Sequence, residues 1–86
     1  MKKHINKITK VWMSDGYGSI YLYVNGKEFQ ARIYVNIFVN KENFEPVYEV
    51  RHVDNNIVMF SFPTEREAKN CILRIYEYDK KYQFAK

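Results

Sequence analysis

The chain has 86 residues, 47% of them hydrophobic and 28% charged, and its formal net charge is +4. This length allows one domain with one modest core, so residues 1–86 are predicted to form a single domain. The composition excludes an intrinsically disordered chain, and no apolar run is long enough to predict a membrane span.

Two compositional features bear on function. Aromatic residues make up 17% of the chain and eight of them are Tyr, a residue that is enriched in binding surfaces. Residues 1–40 carry six basic and two acidic residues, residues 41–79 carry five and eight, and residues 80–86 carry three lysines. Positive charge at both ends favours a surface that attracts a polyanion.

Residue usage also indicates the type of source genome. Lys, Asn, Ile, Tyr and Phe supply 40 of the 86 residues, and all five have AT-rich codons. We therefore predict an AT-rich genome, and the short chain without a catalytic motif favours a phage or mobile element.

The first predicted element is a strand over residues 5–13, where apolar and polar residues alternate. Asp15-Gly16 forms the following turn, either as a two-residue loop or within a four-residue loop over residues 15–18. Both loops give the same alternation, with Val11 and Met13 on the core face of the sheet. The opposite face then receives Ile8, Lys10 and Trp12.

Residues 19–39 are predicted to form a long β-hairpin around Asn25-Gly26, because both residues tolerate the positive φ of a type I′ turn. This turn pairs Val24 with Lys27 and Leu22 with Phe29. The predicted core face contains Ile20, Leu22, Val24, Phe29, Ala31, Ile33, Val35, Ile37 and Val39. The opposite face contains Tyr21, Tyr23, Glu28, Gln30, Arg32, Tyr34, Asn36 and Phe38.

After a polar loop at residues 40–46, residues 47–53 and 57–62 are predicted to form a second hairpin around a three-residue turn. Its predicted inward side chains are Tyr48, Val50, Val58, Phe60 and Phe62. A helix follows, with Thr64 as its N-cap and Glu67 completing a capping box, and it extends to about residue 79. Its predicted apolar stripe contains Ala68, Cys71, Ile72, Ile75, Tyr78 and Tyr82.

The predicted fold class is therefore α+β. Five antiparallel strands form one sheet in the order β-β-β-β-β-α, with the C-terminal helix packed on one face. A single helix cannot cover both faces, so the aromatic face needs either solvent or a partner. Three alternatives stand open for this face: nucleic acid, cover by a second protein subunit, a protein partner or the tail Tyr82-Gln83-Phe84, and solvated cross-strand pairs.

Aromatic rings interleaved with cations form a platform on which bases stack while the cations contact phosphates. The predicted nucleic-acid-binding residues on the sheet are Lys10, Trp12, Tyr21, Tyr23, Arg32 and Tyr34. Chain termini often lie close together, so the terminal lysines add a predicted phosphate patch. These are Lys2, Lys3, Lys7, Lys80 and Lys81.

Catalytic and metal chemistry is not predicted. His4 and His52 lack metal-ligand spacing, so no metal site and no cofactor are expected. Cys71 lies on the predicted helix stripe and is interpreted as a small core residue. A single cysteine and an N-terminus without the apolar segment of a signal peptide predict a cytoplasmic protein, in the host cytoplasm if a phage encodes it.

The sequence thus predicts a non-enzymatic, homodimeric protein that binds RNA or single-stranded nucleic acid through the aromatic and basic sheet face. The alternative is a phage-type inhibitor or antitoxin-like regulator. Such a protein would bind a host defence protein such as a nuclease through the same face, with or without RNA.

Overall fold

The computed structural model describes residues 9–37 and 45–78. The strands are β1 (Lys10–Ser14), β2 (Ser19–Val24), β3 (Lys27–Asn36), β4 (Val47–His52) and β5 (Val58–Phe62), followed by helix α1 (Glu65–Tyr78). The strands form one antiparallel sheet in the order β1-β2-β3-β4-β5, and α1 packs against it. The predicted α+β fold is confirmed, while the predicted strand segments at residues 5–8 and 38–39 lie outside the described residues.

The turn between β2 and β3 has the predicted conformation. Asn25 has φ 53° and Gly26 has φ 83°, and Val24 pairs with Lys27. The Asn25 side chain also reaches the neighbouring strand, because its Oδ1 accepts the N–H of Thr9 at 2.9 Å. The Asn25 N–H donates to the Thr9 carbonyl at 2.8 Å. One residue therefore shapes the β2–β3 turn and secures the chain at the start of β1.

A bulge changes the predicted pairing of β2 with β3 but not the faces. Tyr23 pairs with Glu28, whereas Tyr21 pairs with Arg32, so β3 contributes two extra residues over this interval. Ile20 therefore pairs with Ile33 and not with Ala31, the partner that the predicted two-residue turn would give it without a bulge. Since side chains alternate with a period of two, a two-residue shift leaves each side chain on its predicted face.

The predicted faces of β1 are wrong. Ser14 pairs with Ile20, so the loop between the paired residues contains five residues, whereas both predicted loops contained an even number. An odd loop reverses the alternation. Trp12 therefore pairs with Leu22 and Lys10 with Val24, on the face that α1 covers, while Val11 and Met13 share the opposite face with Tyr23 and Tyr21.

Side-chain hydrogen bonds explain why this loop is longer than predicted. The Asp15 Oδ1 accepts the backbone N–H groups of Tyr17 at 2.7 Å and Ser19 at 3.0 Å. Gly16 and Gly18 take φ values of 79° and 97°, which side chains with a Cβ rarely adopt. The carboxylate and the two glycines thus stabilise a loop that ends at Ser19.

The second hairpin follows the predicted register over most of its length. Tyr48 pairs with Phe62 and Val50 with Phe60, as predicted, but a bulge after Val50 pairs Arg51 with Val58. Val58 and Phe60, predicted inward, are 42% and 48% exposed, because the bulge pairs Val58 with Arg51 on the opposite face and Phe60 lies on the edge strand. Ile37, also predicted in the core, lies just beyond β3 and is 49% exposed.

Helix α1 begins where the capping signal predicts. The Thr64 Oγ1 accepts the Glu67 N–H at 3.2 Å and donates to the Glu67 Oε1 at 2.9 Å. The buried line along the helix is Ala68, Ile72 and Tyr76. The predicted stripe is therefore wrong at its C-terminal end, since Tyr76 is 5% exposed and Tyr78 is 93% exposed. Tyr82 lies outside the described residues.

The core lies between α1 and the central strands. Tyr76 packs edge-on against Phe29 of β3, with ring centroids 6.0 Å apart. The buried apolar residues around this contact are Leu22, Val24, Phe29, Ala31, Ile33, Val50, Ala68, Ile72 and Tyr76. The helix described here is not long and apolar enough to cross a membrane.

The buried line along α1 predicts which tyrosine stabilises the fold. Replacing Tyr76 by Ala should lower the free energy of unfolding by about 3–5 kcal/mol, because it removes a buried ring. Replacing the exposed Tyr17 by Ala should change it by less than about 0.5 kcal/mol. Urea unfolding followed by circular dichroism measures both values, and equal effects of the two substitutions would contradict the helix orientation.

Candidate functional site

The face of the sheet opposite α1 carries a cluster of rings and guanidinium groups. We call it the tyrosine face, and it is formed by Tyr21, Tyr23, Arg32, Tyr34 and Arg51. Strand alternation places these side chains there, because their neighbours in β2, β3 and β4 are buried beneath the helix. All five are partly buried. The cluster is therefore an ordered surface rather than a set of freely extended side chains.

Two arginines lie directly opposite each other at the centre of this face. Arg32 of β3 pairs with Arg51 of β4, an arrangement that is unfavourable for like charges. The Tyr34 ring reduces this repulsion, since the Arg51 and Arg32 Cζ atoms lie 4.3 Å and 5.7 Å from its centroid. Arg32 also lies 5.9 Å from the Tyr21 ring. The rings and guanidinium groups thus stack along the face.

A buried carboxylate balances Arg51. The Glu49 Oε1 accepts hydrogen bonds from Arg51 Nη2 at 2.6 Å and Nε at 3.0 Å. The Asn36 Nδ2 donates to the other carboxylate oxygen at 3.3 Å. The Glu49 side chain is only 11% exposed, so it would lose much of its hydration without these donors. Arg51 is therefore held both by its charge partner and by the Tyr34 ring.

Arg32 is held by neutral partners. Its Nη1 donates to the Ser19 Oγ at 2.5 Å, and its Nη2 donates to the Asn56 Oδ1 in the β4–β5 turn. Asn56 takes a φ of 61°, within the left-handed region that Asn tolerates better than most residues. The guanidinium therefore ties the start of β2 to the β4–β5 turn across the sheet.

The described residues do not carry the chain's positive excess. Residues 9–37 and 45–78 contain seven basic and eight acidic residues, whereas the remaining segments contain seven basic and two acidic residues. On the tyrosine face, Arg51 is paired with Glu49, and the negative Asp15 lowers the positive potential near Arg32. The face thus combines rings and ordered guanidinium groups with little net charge.

Two of the predicted binding residues lie on the other face. The Lys10 Nζ lies 5.1 Å from the Tyr76 ring centroid and forms a 3.6 Å ion pair with Glu77. The Lys69 Nζ of the helix lies 5.2 Å from the Trp12 ring centroid. The prediction that Lys10 and Trp12 join the tyrosine face is wrong, because the odd loop reverses β1. Tyr21, Tyr23, Arg32 and Tyr34 do lie together there. Lys2, Lys3, Lys7, Lys80, Lys81 and Phe38 lie outside the described residues.

Residues missing from the predicted set complete the site. Arg51 and Glu49 alternate with the predicted inward residues of β4, but the sequence does not give their neighbours on β3 because a loop of uncertain length separates the strands. The register now pairs Tyr34 with Glu49 and Arg32 with Arg51. Val11 and Met13 border the same face and are 43% and 50% exposed. Only the β3–β4 and β1–β2 registers identify these four residues.

Reactive side chains in the described residues are not grouped into a catalytic arrangement. No cluster of three or more His, Cys, Asp or Glu side chains that could hold a metal ion occurs within residues 9–37 and 45–78. Cys71 is partly buried, and desolvation raises the pKa of its thiol, which favours the protonated form. The His52 Nδ1 accepts the N–H of Asp54 at 3.2 Å in the β4–β5 turn.

Comparison with known proteins gives no further guide to the site. The chain matches no protein-family model, no curated protein and no solved structure. Functional inference therefore comes from the chemistry of the tyrosine face.

The loop that orients β1 has a predictable pH dependence. The N–H groups of Tyr17 and Ser19, with Arg32 nearby, lower the pKa of Asp15 below its usual value of 3.8. The ionised carboxylate therefore stabilises the fold above that value, and the contribution disappears as the pH falls through the lowered pKa. Asp15→Asn should be less stable than the native protein at neutral pH, with the gap closing in acid. Urea unfolding across pH measures the gap, and a constant gap would contradict this role.

Proposed function

We propose that the protein is a non-enzymatic, cytoplasmic binding protein whose tyrosine face docks on a protein partner. The observation that carries the proposal is the stack of Tyr21 and Tyr34 with two guanidinium groups, already ordered and nearly neutral, beside Tyr23 and the exposed Val11 and Met13. In a phage or mobile element, the partner is a host defence protein such as a nuclease, which the protein inhibits by occupying its surface.

The composition of the face supports a protein partner. Tyr, Met and Arg are enriched at the centres of protein interfaces, whereas Lys is depleted there. Among the described residues, the face has tyrosines, arginines and Met13 but no lysine, since Lys10 lies beneath α1. Tyrosine also provides a large contact area with a polar hydroxyl at its edge. Such a surface suits a partner that is itself partly apolar.

The order within the face also supports tight binding. Fixing a mobile side chain at an interface costs about 0.5–1.5 kcal/mol. Here Arg51 is already fixed by Glu49 and Tyr34, and Arg32 by Ser19 and Asn56. A partner therefore meets an arranged surface and loses little affinity to ordering it.

Nucleic acid is the second candidate, and the distribution of charge favours it. The segments outside the described residues carry seven basic residues, including the predicted Lys2, Lys3, Lys7, Lys80 and Lys81. These lysines would contact phosphates, while bases stack on Tyr21, Tyr23 and Tyr34 at about 1–3 kcal/mol each. Affinity that comes mainly from phosphate contacts falls steeply as the salt concentration rises, whereas affinity that comes mainly from an apolar protein interface does not.

Removing two rings tests the face itself. Tyr21→Ala combined with Tyr23→Ala should weaken partner binding by at least about 2 kcal/mol, or about 30-fold, because central tyrosines act as hot spots. The matched control is Tyr78→Ala, which removes an exposed tyrosine on the helix side and should leave affinity unchanged. Circular dichroism confirms that each variant is folded.

The measurement begins with immobilised native protein exposed to bacterial lysate with and without nuclease treatment. A bound protein that survives nuclease and high salt, and that the double variant loses, supports the protein partner. Bound nucleic acid that salt releases, and that the double variant loses, supports the second candidate. Equal retention by the native protein and the double variant contradicts both uses of the tyrosine face.

A further inference from the structure

The outer edge of β5 is an open strand among the described residues. β5 pairs with β4 on one side, and no described strand pairs with the other side. Its sequence is Val-Met-Phe-Ser-Phe, without a charge or a proline, and Val58, Met59 and Phe60 are all exposed. Edge strands normally carry charges, proline or a cover that prevents pairing with another chain. The β1 edge has such protection in Lys10, whereas β5 has only the bulge that pairs Arg51 with Val58.

An apolar groove adjoins this edge. It has a volume of about 760 Å³ and lies between β5 and α1, where Phe60 and Phe62 of the sheet meet Cys71, Ile75 and Tyr78 of the helix. The two phenylalanine rings stack with centroids 6.5 Å apart. Phe60 and Tyr78 are both largely exposed. Open backbone groups and an open apolar groove thus lie side by side.

From these features, we infer that β5 pairs antiparallel with β5 of a second copy of this chain, forming a two-fold dimer with a continuous ten-stranded sheet. A two-fold axis perpendicular to the sheet relates the strands and keeps both helices on the same face. It also brings the two grooves together along the shared edge, so Phe60 and Phe62 of each copy are covered by the other. This inference concerns a different surface from the tyrosine face and does not depend on the proposed function.

Charge favours a second copy as the occupant. Glu67 in the first turn of α1, Arg74 two turns later and Glu77 in the last turn border the groove. An antiparallel neighbour reverses this order, so Arg74 of each helix lies between the acidic ends of the other. The helix dipoles of an antiparallel pair are also complementary. The uncharged β5 sequence places no like charges opposite each other when the strand pairs with itself.

Sedimentation equilibrium of the full chain tests the inference over about a hundredfold range of concentration. The native protein should approach the dimer mass as concentration rises. Met59→Lys should raise the dimer dissociation constant by at least about tenfold, because it places a charge on each edge near the two-fold axis. Met13→Lys is the matched control on the other edge strand and should leave the dimer unchanged.

Hydrogen exchange identifies the edge that pairs. The β5 amides should become more protected as the dimer forms, while the β1 amides should not. Phe60→Asp provides a second disruption, from the groove side of the same strand. A native protein that remains monomeric at every concentration overturns the inference, and so does a dimer that both Met59→Lys and Phe60→Asp leave intact. Protection of β5 that does not change with concentration also overturns it, because a segment of the same chain would then cover the edge.

The same variants separate this inference from the proposed function. Phe60→Asp, on the groove side, should weaken the dimer while retaining the tyrosine face, whereas Tyr21→Ala with Tyr23→Ala should weaken partner binding while retaining the dimer. Loss of dimerisation in the tyrosine variant, without loss in Phe60→Asp, would assign the dimer contact to the tyrosine face and overturn the β5 pairing.

Discussion

Backbone alternation connects the two faces of this sheet, because each strand residue that faces α1 turns its neighbours toward the opposite side. Burial of Leu22, Ile33 and Val50 beneath the helix therefore turns Tyr21, Tyr34 and Arg51 together toward the opposite face. The tyrosine face is a direct consequence of how the core packs. A substitution that moved one strand by a single residue would lose the core and the tyrosine face at the same time.

The same alternation explains how much of the molecule can be predicted from the sequence. Apolar periodicity, Asn25-Gly26 and the Thr64 capping signal are local features, and they predict the strands, the main turn and the helix start. The two-residue bulge in β3 does not alter the faces, so that error is harmless for the site. Whether the β1–β2 loop has an odd or an even number of residues depends on side-chain hydrogen bonds of Asp15, which periodicity cannot predict. Lys10 and Trp12 were assigned to the wrong face of the sheet for this reason.

The candidate site also shows why composition alone was insufficient. Arginines interleaved with tyrosines suggest a phosphate platform until the β3–β4 register brings the Glu49–Arg51 pair of β4 beside Tyr34 and Arg32. That carboxylate changes the face from a positive surface to a nearly neutral one. The pairing of β3 with β4 spans a loop whose length does not fix the register. The sequence of neither hairpin therefore predicts which residues of β3 lie beside Glu49 and Arg51. Tertiary pairing, rather than residue content, therefore determines which class of partner the surface suits best.

The simple strand order has a consequence for the chain during its synthesis. Each strand pairs with the one made just before it, so the sheet can assemble progressively as residues leave the ribosome. Helix α1 is made after all five strands and supplies Ala68, Ile72 and Tyr76 to the core. Until then, the apolar face under the helix remains uncovered. A nascent chain that has reached only Phe62 therefore exposes both faces of its sheet, and the last helix ends its most aggregation-prone stage.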